Sequence, residues 1–391
     1  MTMTTVGFQR RTSTGVAVGG MLLIAATAGM VRFGVGLFVP SLAAARPELA
    51  GSLGWAGAAQ FTSYCVAAVV AVRIADRRPR TGLLLAGATA SLGCLGVAVA
   101  TDPVVFVLAL LVGGMGCAFA AAALVPIIDA VVVPSAAATA QSMANSGTAV
   151  GIIGAGLVAF SAISIGPAWT VIALACAAAA VATWYPVRTR TDLAACRHPL
   201  GRAPAARPYG AWQLLLVPGA AAVIAGAGSS LVWTFGPLLM TASGPVAPDR
   251  VGWLWIALGL GGVLGALTGA LVDRTGRRGG WLACVAILAL ASAGVALSMA
   301  TGSAGTAYAS MAVFGAAYMG LSGVLILWAR HAWPSRAGAA TSILFIALSV
   351  GQALGSAGFE TVRQALEPTQ MTLVAASLCI AAGLVTLGTK P

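Results

Sequence analysis

Charged side chains are scarce in this sequence. They make up only 8% of the 391 residues, and only nine of them are acidic, whereas soluble domains are about 25% charged. With two histidines and no Cys-x-x-C pair, the chain lacks the groups for a metal site, a disulfide framework or a histidine-based catalytic set. It also has no phosphate-binding glycine loop, and therefore no ATPase of its own. The sequence predicts neither an enzyme nor a cofactor.

Long apolar runs take up most of the chain. Hydrophobic residues make up 59% of it, and a run of about 20 apolar residues crosses a bilayer as a helix. We number the predicted spans 1 to 12: 16–42, 52–72, 82–100, 104–127, 138–162, 167–186, 212–240, 251–271, 281–300, 305–328, 339–360 and 370–388. The first run is too long for the apolar part of a signal peptide. The sequence predicts an all-α membrane protein that crosses the lipid bilayer twelve times.

The two halves of the chain repeat each other. "FVPSL" at 38–42 returns as "FGPLL" at 235–239, and "RIADRRPR" at 73–80 returns as "ALVDRTGR" at 270–277, both 197 residues later. Parallel repeats place the binding site of alternating-access carriers between two halves. We expect a six-helix bundle over 1–186, a central loop over 187–211 and a second six-helix bundle over 212–391.

The basic residues predict the orientation. With the N-terminus in the cytoplasm, 17 of the 21 Lys and Arg residues fall in the N-terminal arm, the central loop, the other cytoplasmic loops and the C-terminus. The outer loops hold three, Arg46, Arg250 and Arg363, and Arg32 remains within the membrane. This asymmetry follows the positive-inside rule. It predicts a multi-pass protein of the cell (plasma or inner) membrane with both termini cytoplasmic, and the net charge of +12 does not indicate nucleic-acid binding.

One loop carries a recognisable motif. "GALVDRTGRR" at 269–278 resembles the Gly-x-Leu-x-Asp-Arg-x-Gly-Arg-Arg loop of the major facilitator superfamily, which follows the second helix of each half. The matching positions include Gly269, Asp273, Arg274, Gly276, Arg277 and Arg278. The first-half copy keeps Asp76, Arg77 and Arg80 but has Val72 and Pro79 at the glycine positions. The resemblance implies a twelve-helix monomer that carries a small-molecule substrate by alternating access.

A closer resemblance rests on three other stretches. "MVRFGVGLFVPSL" at 30–42, "GWAGAAQFTSYCVAAVVA" at 54–71 and "LVWTFGPLL" at 231–239 are similar to the YbfB/YjiJ group of bacterial permeases. This similarity implies efflux-type transport of a small molecule.

The motif charges are candidate gate residues. An Asp at the cytoplasmic end of span 2 or 8 can face the positive N-terminus of a helix in the other half. Asp76 would then meet the start of span 11 and Asp273 the start of span 5, while Asp129 at the end of span 4 would pair with Arg77 or Arg80. The alternative is that these charges only set the topology.

Arg32 lies about 16 residues into span 1, some 24 Å from its start at 1.5 Å per residue. Intramembrane ionisable residues mostly face the bundle interior or a water-filled cavity, and the resemblance implies that span 1 lines the central cavity. We therefore expect Arg32 to bind substrate or to gate. The alternative is a structural role, in which the guanidinium bonds helix carbonyls or partly snorkels.

Further polar and aromatic residues lie within predicted spans. The candidates for the cavity wall are Gln60, Tyr64, Asn145, Trp233, Thr234, Tyr318 and Gln352. Together with Arg32 they would suit an amphipathic organic molecule. Each alone is also typical of the polar groups that hold membrane helices together.

Glycines recur at four-residue spacing on three spans, which lets helices approach closely. The residues concerned are Gly147 and Gly151 on span 5, Gly261 and Gly265 on span 8, and Gly351 and Gly355 on span 11. The resemblance implies that spans 2 and 11, and spans 5 and 8, meet across the halves. We expect these glycines to form the surface between the halves; packing without motion is the alternative.

We interpret the chain as a secondary active transporter that exports a small amphipathic organic compound, driven by the proton gradient. Two residues that family members use for proton coupling are replaced, since Val112 stands in place of an arginine and Ile152 in place of a proline. One alternative is uptake of a small organic anion held by Arg32. Another is a membrane receptor or scaffold that does not transport, which would predict a long soluble domain or tail.

Overall fold

The computed structural model describes residues 3–161, 164–188 and 211–387, without the side chains of 3–12, 72, 75–77, 138, 211–212 and 335. The first half contains α1 (Met3–Ile24), α2 (Val35–Ala45), α3 (Leu53–Arg77), α4 (Pro79–Val99), α5 (Pro103–Val131), α6 (Pro134–Phe160) and α7 (Ile165–Trp184). The second half contains α8 (Leu216–Ala242), α9 (Gly252–Val263), α10 (Thr268–Thr301), α11 (Ala304–Ala332), α12 (Ala337–Val362) and α13 (Pro368–Leu384). Most of the predicted central loop lies outside the described residues.

The predicted fold class is confirmed. Among the described residues, ten helical stretches are long and apolar enough to cross a membrane, and one of them, Pro248–Thr301, is 54 residues long and holds two spans. These are spans 8 and 9, which divide at Gly276, where φ is 71° and ψ is 169°. The twelfth span is the shorter apolar helix Pro368–Leu384. A positive φ favours glycine strongly, which gives the motif glycine at position 276 a structural reason.

The helices group into two bundles that meet along specific spans. In the first half, span 4 packs against spans 2 and 3; in the second, span 11 packs against span 7 and span 9 against span 10. Between the halves, span 2 packs against span 11 and span 5 against span 8, as the resemblance implies. Fully buried tryptophans lie in both halves, Trp169 in the first and Trp281 in the second.

The six glycines at four-residue spacing contact other helices than predicted. A methyl group on Gly151 would overlap the carbonyl of Ala25 in span 1, and one on Gly351 would overlap that of Val223 in span 7. The other four glycines follow the same pattern: Gly147 faces span 1, Gly261 and Gly265 face span 10, and Gly355 faces span 7. All six therefore pack within a half. The expectation that they separate the halves is wrong, because helical spacing alone does not say which neighbour a face meets.

The close contact at Gly151 can be tested by substitution. We expect Gly151→Ala to lower the thermal unfolding midpoint, because overpacking a filled interface costs about 1–3 kcal/mol. Tryptophan fluorescence of the purified protein in detergent measures the midpoint.

The matched control is Gly338→Ala, where an added methyl meets nothing within 4 Å. Since alanine favours a helix over glycine by about 1 kcal/mol, this variant should keep or slightly raise the midpoint. Equal midpoints for the two variants would contradict the packing described above.

Candidate functional site

Span 1 is not a continuous α-helix. Between α1 and α2 it passes through a π-helical segment, Ala25–Arg32, and two turn residues, Phe33 and Gly34. The backbone N–H of Phe33 donates to the carbonyl of Ala28, five residues back, at 3.0 Å. Such π segments are frequent at functional sites, and Arg32 lies at the end of this one.

The break leaves backbone carbonyls that need partners, because a lipid environment supplies none. Gln60 on span 2 donates from Nε2 to the carbonyl of Val31 at 3.1 Å. Trp255 on span 8 donates from Nε1 to the carbonyl of Phe33 at 2.8 Å. Gln60 therefore holds the broken backbone of span 1, and Trp255 joins that break to the other half.

Arg32 reaches across to the second half. Its side chain is 6% exposed, and Nη2 donates to Ser349 Oγ at 2.5 Å and to Gln352 Oε1 at 3.4 Å, both on span 11. The guanidinium carbon also lies 3.8 Å from the ring centroid of Tyr64 on span 2. Arg32 thus touches both halves, through hydrogen bonds on one side and an aromatic face on the other.

The described residues offer the guanidinium no carboxylate partner. Within the described part of the chain, no ion pair joins Arg32 to a carboxylate, and its Nε atom is buried without a hydrogen-bond acceptor. Buried charges in proteins are normally paired. The site therefore presents a positive charge that the described residues leave uncompensated.

Aromatic rings from both halves lie near the charge. Gln352 donates from Nε2 to the hydroxyl oxygen of Tyr318 at 2.9 Å, and the Tyr318 ring lies 5.1 Å from that of Trp233. Trp233 in turn lies 4.3 Å from Phe33, and its own Nε1 is buried without an acceptor. We define the central cluster as Arg32, Phe33, Tyr64, Trp233, Tyr318, Ser349 and Gln352.

Three predicted cavity residues are not members of this cluster; one of them, Gln60, bonds the backbone of span 1 instead. Asn145 is exposed and accepts a hydrogen bond from Gln141, four residues earlier on its own helix, at 3.4 Å. Thr234 is buried and shares a hydrogen bond of 2.9 Å with Ser356.

Sequence reasoning missed Phe33, Ser349 and Trp255. Ser349 and Gln352 are three residues apart and so share a face of span 11, which is a signal that could have been found. Trp255 could not be assigned, because its role depends on a break in another span.

The predicted gate charges lie at the arginine-rich loops, and only some of their side chains are described. Asp129 and Asp273 are both exposed, and in the described residues neither has a hydrogen bond or ion pair through its side chain. The side chains of Asp76 and Arg77 lie outside the described residues, and the buried Nε atom of Arg80 has no hydrogen-bond partner among the residues that are described. Of the second motif, Arg274 is exposed, Arg277 is half-buried and Arg278 donates to the carbonyl of Leu387 at 2.5 Å. The gate role stays a prediction.

The halves are joined at the opposite face. Glu360, near the end of span 11, accepts a hydrogen bond of 2.7 Å from the backbone N–H of Gly54, at the start of span 2. Arg363 forms an ion pair with Glu360 at 3.0 Å and donates to the carbonyl of Ala50 at 3.0 Å. A carboxylate at a helix N-terminus is favoured by the helix dipole. We call Gly54, Glu360 and Arg363 the clamp.

The comparisons with known proteins identify the superfamily and the overall fold. The profile of the Major Facilitator Superfamily matches residues 21–356, and the chain belongs to that superfamily. A mutant of the nucleoside transporter NupG has a similar fold, with a TM-score of 0.76, 14% identity and coverage of 95% of this chain and 98% of that one. A D-xylose–proton symporter is similar at a TM-score of 0.71 and 16% identity, with coverage of 97% of both chains. No curated protein matches the chain.

The clamp can be tested at Gly54. An alanine Cβ there would lie 2.6 Å from the carbonyl oxygen of Ser356 and 2.5 Å from Cβ of Glu360, so the two spans would have to separate. Overpacking of this kind costs about 1–3 kcal/mol, so the two spans should separate more often and expose position 356. We therefore expect Gly54→Ala to speed thiol labelling of a Ser356→Cys probe by roughly tenfold. The probe is introduced after replacement of the native cysteines.

The control is Gly51→Ala, where an added methyl meets nothing within 4 Å. It should leave the labelling rate of the same probe unchanged. If both variants label at the parent rate, Gly54 does not hold the two spans together.

Proposed function

We propose that this chain is an alternating-access transporter that exports a small amphipathic organic anion, and that Arg32 binds the acidic group. The observation that carries the proposal is the buried guanidinium of Arg32, which lacks a carboxylate partner in the described residues. A charge at this depth costs about 2.5–3.5 kcal/mol on insertion scales. An anionic substrate would supply the missing counter-charge.

The central cluster also supports an amphipathic substrate. Phe33, Trp233 and Tyr318 offer aromatic surface next to the charge, and two buried donors, Arg32 Nε and Trp233 Nε1, lack acceptors. Ligand sites of this kind are mostly apolar, with few well-placed polar groups. A molecule with an apolar body and one acidic end would satisfy both features.

The position of Arg32 between the halves suits alternating access. Its hydrogen bonds reach span 11 while its aromatic contacts lie on spans 1 and 2. When the halves move, these contacts must change, so substrate binding at Arg32 and the relative position of the halves are coupled. The proposed setting is the cell membrane, with both termini cytoplasmic and the protein acting as a monomer.

The driving force is part of the proposal. An anion that leaves a cell with a negative interior gains about 2.3 kcal/mol per 100 mV from the membrane potential, so its export needs no coupled proton. Proton antiport, predicted from the sequence, requires a group that binds and releases a proton. The buried carboxylate in the described residues is Glu360, and it is already held in the clamp by the backbone N–H of Gly54 and by Arg363. We therefore propose the membrane potential as the main driving force.

Proton-coupled uptake is a second candidate. It is favoured by the similarity in fold to a D-xylose–proton symporter. In this mechanism substrate and proton would move in the same direction, and Arg32 would still hold an acidic group. The resemblance to the YbfB/YjiJ permeases, which implies export, stays a prediction.

Substrate charge can be tested by ligand-induced thermal stabilisation. We expect a panel of amphipathic carboxylic acids to raise the unfolding midpoint of the purified protein more than their neutral amides do. The difference should disappear in Arg32→Gln, because the cation is removed, and shrink in Arg32→Lys, because a lysine cannot form the same bidentate contacts.

The matched control is Arg330→Gln, which removes an exposed arginine from the end of span 10. It should respond like the parent protein. Equal stabilisation by acids and amides, or an unchanged preference in Arg32→Gln, would contradict the proposed role of Arg32.

Transport measurements in proteoliposomes can distinguish the membrane potential from proton coupling as the driving force. With a stabilising acid inside the vesicles and a potential negative inside, we expect efflux to accelerate without alkalinisation or acidification of the lumen. Lumen acidification that follows efflux would instead indicate proton antiport. Accumulation of the acid together with protons would indicate uptake by symport. The direction of transport would then contradict the proposed export.

A further inference from the structure

The three arginines in the predicted outer loops differ in their contacts. Arg46 donates to the carbonyls of Val97, Ala98 and Ala100 at 2.6–2.8 Å, and Arg363 is paired in the clamp. Arg250 is exposed, and its guanidinium makes no hydrogen bond or ion pair within the described part of the chain. Arg250 is therefore the arginine of this face that is available to a ligand.

Arg250 lies at one end of a surface groove between spans 8 and 10. The groove has a volume of about 350 Å³ and is lined by Arg250, Trp253, Ile256, Ala257, Leu260 and Tyr308. The four residues on span 8 recur at three- and four-residue spacing and so share one helix face. Trp253 and Leu260 are 51% and 59% exposed, which indicates that this face is turned away from the protein interior.

The dimensions of the groove fit one leaflet of a bilayer. From Arg250 to Leu260 a helix rises about 15 Å, which is half of the roughly 30 Å hydrocarbon core. Its polar groups lie where two predicted spans begin: Arg250 precedes span 8, and Tyr308 lies four residues after the start of span 10 at Ala304. A cation and aromatic rings at the surface, followed by an apolar channel, match the headgroup and the acyl chain of a lipid.

We propose that this groove binds one anionic phospholipid. Arg250 and the hydroxyl of Tyr308 hold the phosphate, and one acyl chain lies along Trp253, Ala257 and Leu260. The net negative charge of the headgroup complements Arg250, which forms no ion pair with the neighbouring Asp249 or with any other acid among the described residues. A zwitterionic headgroup carries its own cation and therefore binds less tightly.

The site borders the contact between the halves. The ring of Trp253 lies 5.1 Å from that of Phe160 on span 5, at an interplanar angle of 64°. A lipid against Trp253 therefore lies beside the meeting of spans 5 and 8, on the same face as the clamp. Opening of that face would change the shape of the groove.

Native mass spectrometry of the detergent-purified protein tests the proposal. The probes are phosphatidylglycerol and phosphatidylcholine with identical acyl chains, and glycerol phosphate as the headgroup alone. We expect one molecule of phosphatidylglycerol to remain bound to the protein. Phosphatidylcholine should bind more weakly, and glycerol phosphate should give no retained adduct. Retention of glycerol phosphate alone would overturn the lipid assignment in favour of a simple anion site.

Two variants test the two ends of the groove. Arg250→Ala should weaken phosphatidylglycerol binding by about fivefold, the effect of one basic residue near a membrane surface, and should leave phosphatidylcholine unchanged. Leu260→Trp should weaken both lipids, because it fills the apolar end. Arg330→Ala removes an arginine from the other face and serves as the control.

Unchanged phosphatidylglycerol binding in Arg250→Ala, or an equal loss in Arg330→Ala, would overturn the site. Because the readout is lipid binding rather than transport, the outcome is independent of the role proposed for Arg32. The unfolding midpoints of all variants, measured in the same detergent, show whether each is folded.

Discussion

The buried charge of Arg32 constrains the structure around it. A guanidinium inside a membrane protein must be solvated by protein groups, since no bulk water is present to do so. Ser349 and Gln352 supply oxygen atoms and Tyr64 supplies a ring face. Because these groups come from spans 2 and 11, solvating Arg32 also brings the halves together. The break in span 1 belongs to the same arrangement, as Gln60 and Trp255 hold the carbonyls on either side of Arg32.

A contact between a carboxylate and a helix N-terminus is formed at one face of the protein and predicted at the other. At the face of Glu360, a carboxylate of one half meets the backbone N–H at the start of a helix of the other half. The motif at the arginine-rich face predicts the same type of contact, from Asp273 to span 5, but Asp273 is exposed in this structure. A carrier that alternates needs its two faces to be joined in turn. A formed clamp at Glu360, together with an exposed Asp273 on the other face, is the arrangement expected when the face of Glu360 is closed.

Features that depend on composition, on the internal repeat and on the family motif could be predicted from the sequence. The twelve spans, the pairing of spans 2 with 11 and 5 with 8, and the depth of Arg32 follow from apolar run length, the repeat and the family motif. The clamp and the partners of the glycines could not be predicted, because they depend on which helix faces meet. The break at Arg32 could not be predicted either. A π segment differs from an α-helix by one residue of register, and "AATAGMVR" contains no proline that would indicate a break. Gln60 was found as a polar residue, but its partner, a freed carbonyl, exists only because of that break.

The asymmetry between the repeats bears most directly on how the protein works. The residue 197 positions after Arg32 is Ser229, which donates to the carbonyl of Gly226 within span 7 and needs no partner elsewhere. Span 7 is a continuous α-helix over Leu216–Ala242, whereas span 1 is broken. The charge, the break and the freed carbonyls thus occur together in one half, while the second half supplies neutral donors, acceptors and rings. A substrate between the halves would therefore meet its charge partner on the first half and aromatic surface on both halves. Its binding would depend on both halves at once, which is the condition under which substrate occupancy can control their relative motion.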